Sequence, residues 1–73
     1  MTNICYHTRT SLILGIGETP EDAIVDARWN GGDPDIDTSE WATIAATDDL
    51  IHEIEAQGGD LSWAIVNGTA ICV

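Results

Sequence analysis

LSWAIVNGTAICV, residues 61–73, decides the fold. Asn67-Gly68 between two β-rich runs is the strongest short-range hairpin signal, because both residues tolerate the positive φ that a type I′ turn demands. Val66 and Thr69 then flank the turn. The two-residue period of a strand puts Trp63, Ile65, Ala70 and Cys72 on one face, and Ala64, Val66, Ile71 and Val73 on the other. Both faces are fairly apolar.

Upstream of the hairpin, Thr47-Asp48-Asp49 caps a helix whose buried stripe is Leu50, Ile51 and Ile54, and Gly58-Gly59 closes it. WATIAA, residues 41–46, is short and apolar and reads as a buried strand. An earlier helix starts at Thr19-Pro20-Glu21-Asp22, with Thr19 as cap, Pro20 at the first helical position and the acids at the positive end of the dipole. Ala23, Ile24 and Ala27 form its buried stripe, while Val25, Trp29, Asp22 and Asp26 lie toward the other side. Asn30-Gly31-Gly32 ends it. NICYHTRTSLILGI, residues 3–16, is β-rich, as one long strand or as two short ones broken near Arg9–Thr10. Its alternation places Tyr6, Thr8, Thr10, Leu12, Leu14 and Ile16 opposite Cys5, His7, Arg9, Ser11 and Ile13, and Gly15 and Gly17 let the chain turn. The expected architecture is a single α+β domain over 1–73, in the order β-α-β-α-β-β, with two helices on one face of a mostly antiparallel sheet.

Composition narrows the function. The 73 residues hold 13 carboxylates, two arginines and no lysine, a formal charge of −11. Disorder is excluded because 44% of the residues are hydrophobic and three are tryptophan, enough apolar surface to fold on. The small core is marginal, and self-repulsion makes stability rise with salt. Such a surface repels nucleic acid and anionic membrane and steers the chain toward a cationic partner, of which a basic nucleic-acid-binding protein is the clearest class. The apolar run 11–17 is too short to span a membrane, and no basic segment precedes it, so a cytoplasmic location is expected. In a reducing compartment Cys5 and Cys72 are free core thiols.

Metal and catalytic chemistry find little support. Asp33-Pro34-Asp35-Ile36-Asp37 followed by Ser39 imitates the start of a calcium loop, but Thr38 and Ile44 stand where the template needs glycine and glutamate. Cys5, His7, His52 and Cys72 lack the short spacing of zinc knuckles. No serine has a nucleophile signature, and the glycines of GIGETP precede a helix whose Glu18, Glu21 and Asp22 would repel phosphate. Neither catalysis nor a cofactor is expected.

The acids are spaced in a way that suits recognition. Asp22 and Asp26 are one turn apart on the first helix, as are Asp49 and Glu53 on the second, and Asp33, Asp35, Asp37 and Glu40 lie between them in sequence. Like charges at that spacing cost a helix a few tenths of a kcal/mol each. Two readings stay open: solvated faces of amphipathic helices, or a row of carboxylates spaced like phosphates. Trp29, among Asp22 and Asp26 and beside Val25, has the makings of a hot spot for an arginine-rich surface; it also has the option of folding under the following loop.

In size, acidity, absence of lysine and compact α/β pattern, the chain resembles the small acidic proteins of phages and mobile elements, among which the anti-CRISPR inhibitors are best known. That resemblance implies binding to a Cas effector or surveillance complex, often at the basic surface that takes target DNA, inside the host cell. GETPEDAIVDA, residues 17–27, looks like the strand–turn–helix segment of HicB-type antitoxins. The expected function is a non-enzymatic acidic inhibitor, monomeric or homodimeric, that blocks DNA or RNA access to its partner by mimicry, without binding nucleic acid or membrane itself. The alternative is a small acidic adaptor or antitoxin-like module, homodimeric through its apolar hairpin face.

Overall fold

The computed structural model describes residues 1–31 and 37–73. The chain runs β1 (Asn3–His7), β2 (Ile13–Gly17), α1 (Pro20–Gly31), β3 (Trp41–Ala46), α2 (Asp48–Gln57), β4 (Trp63–Val66) and β5 (Thr69–Cys72). Two helices and a five-stranded mixed sheet make an α+β domain, with spatial strand order β2-β1-β3-β5-β4. Three of the four strand pairings are antiparallel, and β3 meets β5 in parallel through Ala45–Thr69 and Ala46–Ala70.

The local signals act where they stand. Asn67 and Gly68 both have positive φ, 53° and 76°, and the hairpin register pairs Val66 with Thr69, Ile65 with Ala70 and Trp63 with Cys72. Thr19 accepts a hydrogen bond from the Asp22 amide through its hydroxyl at 3.1 Å. Thr47 does the same for Leu50 at 3.3 Å, and the Gly58 amide donates to Ile54 O at 2.7 Å. Each cap satisfies groups that a helix end leaves without internal partners.

Four expectations change. Of the two readings of residues 3–16, the two short strands hold, so the order is β-β-α-β-α-β-β and not β-α-β-α-β-β. The break comes at a turn in which Ser11 takes a positive φ of 61° and its amide donates to His7 O.

The helices lie on opposite faces of the sheet rather than on one. Ile4 packs with Leu50 and Ile54 of α2, together with Ile13, Ala46 and Ala70. Its neighbour Cys5 packs with Ala23 and Ala27 of α1. Adjacent strand residues point to opposite sides, so β1, an interior strand, is apolar on both and each side needs its own cover.

The alternation of faces is also interrupted. β1 pairs Cys5 with Gly15 but Tyr6 with Ile13, leaving Leu14 as the extra residue of a β-bulge. The bulge turns Leu14 to the α1 side, while Ile13 and Ile16 stay on the α2 side.

Gly15 and Gly17 are strand residues that make room for α1 instead of turning the chain. A Cβ on Gly15 would stand 2.4 Å from Ala27 N and 2.5 Å from Ala23 O, and one on Gly17 would stand 2.4 Å from Ala23 N. The small residues of helix and strand let two backbones approach, and this decides why the α1 side holds so little side-chain volume.

Candidate partner-binding surface

α1 carries the exposed strip. Glu21, Val25 and Trp29 follow one another at one-turn spacing along the helix, with Asp22 beside them. Glu21, Asp22 and Val25 are exposed, and Trp29 is 80% exposed. Trp29 therefore does not fold into the core. The other two tryptophans are half-buried: Trp41 packs against the α1-side cluster, and Trp63 stacks edge-on against Tyr6 at 4.9 Å while its indole donates to Ser11 O at 2.7 Å. Glu21 and Val25 were not among the expected contacts; their spacing to Trp29 was the signal.

Not every expected acid is free to meet a partner. Asp26 is half-buried and accepts the Ile16 amide proton at 2.9 Å, with the Asn30 amide at 3.5 Å. Asn30 also donates to Leu14 O at 2.9 Å. Both side chains thus satisfy backbone groups of the edge strand β2, and Asp26 is a structural acid. Glu40 forms an ion pair with Arg9 and lies 3.2 Å from His7 Nε2, and its backbone carbonyl accepts from Thr8 N and from the Thr8 hydroxyl. It pins the β1–β2 turn to the start of β3. Glu53 of α2 is half-buried and accepts from Gln57, while Asp49 is exposed. Asp37 is exposed; the Ser39 amide donates to it at 2.9 Å, and this bond with the Ser39 hydroxyl holds its carboxyl below the usual aspartate range. Asp33 and Asp35 lie outside the described residues.

Because α1 and α2 cover opposite faces, the acids of Asp22 and Trp29's surroundings cannot join Asp49 and Glu53 in one flat surface. The single carboxylate row spanning both helices is corrected to two acidic faces. Among the described residues, only the α1 face carries an exposed tryptophan.

The two thiols are unpaired, Cys5 on the α1 side and Cys72 on the α2 side. Burial pushes both above their ordinary value of 9.0, and for Cys72 the charges of Glu53 and Asp49 add to it. A thiol kept protonated by the fold stabilises below its unfolded pKa, and that contribution is lost as pH rises through the folded value. Thermal stability should therefore begin to fall above pH 9.0, and the Cys5→Ala/Cys72→Ala variant should show a shallower alkaline decline. An equal decline in parent and variant, followed by circular dichroism, would show that other groups control it.

Among the described residues no group of three or more His, Cys, Asp or Glu is placed to hold a metal ion, and no helix is long and apolar enough to cross a membrane. No protein-family model, characterised protein or solved structure matches this chain.

Proposed function

We propose that the chain is a non-enzymatic acidic inhibitor that docks on the basic, nucleic-acid-binding surface of another protein and denies it DNA or RNA. A guide-loaded Cas complex is the partner implied by the resemblance to anti-CRISPR inhibitors. One observation carries this reading: a tryptophan 80% exposed on α1, beside carboxylates, in a chain of charge −11. An indole in that setting costs solubility without helping the core. It offers a face for an arginine guanidinium, which the neighbouring carboxylates attract and orient. Acids on the rim accelerate encounter, while the desolvated ring slows release. Asp22 and Glu21 serve as contacts on α1, Asp37 and Asp49 contribute to steering, and Asp26 and Glu40 hold the surface in shape.

The test uses purified guide-loaded Cas effectors, with a basic nucleoid protein for comparison, and labelled target DNA followed by fluorescence anisotropy. The chain should displace DNA, and less effectively as salt shortens the screening length to roughly 8 Å. Trp29→Ala should weaken inhibition by about thirtyfold, the loss of a hot spot worth about 2 kcal/mol, with melting unchanged. Asp22→Asn with Glu21→Gln should mainly slow association. If the effectors hold DNA and the chain together, or Trp29→Ala inhibits as well as the parent, mimicry through α1 is wrong and the acids serve solubility.

A further inference from the structure

The sheet has two edges, and the fold treats them differently. On β2, the Ile13 amide donates to Gly59 O at 3.1 Å, Leu14 O accepts from Asn30 and the Ile16 amide donates to Asp26. That edge is capped by the α2–β4 loop and by two side chains of α1. On β4, among the described residues, backbone hydrogen bonding runs only to β5, and the one side-chain bond from the strand goes from the Trp63 indole to Ser11 O of the β1–β2 turn. Natural edge strands are blunted by charge, proline, a bulge or a cover. β4 is short, but its sequence WAIV supplies none of these.

Charge points the same way. All thirteen carboxylates lie between Glu18 and Asp60, and residues 61–73 carry no charged side chain. Ile65 and Val66 on β4 are 49% and 47% exposed. Beside them is a cleft of about 330 Å³ lined by Tyr6, Thr8, Ser11, Trp63, Ala64 and Ile65, again without a charged group. Neither helix cluster takes in Ala64, Val66 or Ile71 on the outer face of the hairpin.

We infer that β4 is the self-association edge of this protein, and that its occupant is β4 of a second copy in an antiparallel, two-fold pairing. A cationic partner has nothing to recognise on this strip and is drawn instead to the carboxylates of α1. A second copy, at charge −11, is repelled on approach to the acidic faces, including the Cys72 end of the hairpin that Glu53 and Asp49 reach, and the strip around Ile65 and the cleft beside it is where two copies meet with fewest opposing carboxylates. Edge pairing completes the backbone hydrogen bonds of β4 and buries Ile65 and Val66. The pairing is isologous, and the covered β2 edge gives no second point of growth, so assembly closes at two copies instead of extending into a fibre. This inference is independent of the inhibitor reading: it uses different residues, and salt acts on it with the opposite sign.

The experiment is sedimentation equilibrium on the full chain, under reductant, over a concentration series at low and high salt. The mass should rise from 7.8 kDa toward twice that value and stop there, with tighter association at high salt because screening removes the repulsion between copies. Ile65→Lys and Val66→Lys should each weaken association by about tenfold or more, by placing a charge in an apolar interface, with circular dichroism and melting close to the parent. Trp29→Ala should leave association unchanged. The inference is overturned by a monomer at every concentration and salt, by growth beyond two copies, by a dimer that appears only without reductant, or by one that both lysine variants leave intact.

Discussion

Gly15→Ala is expected to destabilise the domain by about 3 kcal/mol or more, the upper end of what overpacking costs. The added Cβ would lie 2.4 Å from Ala27 N and 2.5 Å from Ala23 O. These are backbone atoms of α1, so no rotamer change relieves the overlap and the helix as a whole must move away from the sheet. Moving it also stretches the bonds by which Asp26 and Asn30 hold β2. A domain this small holds only about 3–5 kcal/mol in reserve, so much of the population should be unfolded at room temperature. At about 4–8 °C per kcal/mol for this size, the fall in Tm should exceed roughly 12 °C. Urea titration followed by tryptophan fluorescence measures it, and added salt should recover part of the loss by screening self-repulsion. Gly58→Ala is the control: its φ is 88° but nothing lies within 4 Å of the added carbon, so about 1 kcal/mol of backbone strain is the whole effect. A loss at Gly15 no greater than at Gly58 would mean that α1 does not approach β2 this closely.

Leu50→Ala should cost about 3 kcal/mol, within the range of about 2–5 for a buried leucine. Leu50 is fully buried, at 0% exposure, and with Ile4 it is among the largest side chains that are so. It joins α2 to Ile4, Ala46 and Ala70, and therefore to three different strands. Removing it leaves a cavity that alanines 46 and 70, fixed on strands, are too small to fill. Ile51→Ala, half-buried on the same helix, should cost clearly less. Equal losses at the two positions, read from the urea midpoint at constant m-value, would contradict the packing of α2 described above. Because Leu50 and Gly15 act on opposite sides of the sheet, these losses report the two layers separately.

The candidate surface was partly legible. Trp29 stands out in the sequence because it lies opposite Ala23 and Ala27 at helical spacing, and the same periodicity leaves it exposed. Asp26, on the same side of the helical wheel, was not distinguished from Asp22. Its task is to bond the Ile16 amide, and that donor becomes available only after the bulge at Leu14 has formed on another element. Glu40 reads as a contact in the sequence for the same reason: its pairing with Arg9 and His7 spans more than thirty positions of sequence.

By itself the sequence determined whatever is written within a turn of chain. The caps at Thr19 and Thr47, the Asn67-Gly68 turn with its register and the buried stripes of both helices follow from interactions between residues a few positions apart, and the charge of −11 from composition alone. Tertiary structure decided which side of the sheet each helix covers, the strand break before Ile13, the bulge that turns Leu14, and the use of Gly15 and Gly17 as a seat for α1. Each of these depends on the backbone of a distant element approaching closely. Such an approach leaves no period in the sequence, because what it requires there is only the absence of a side chain.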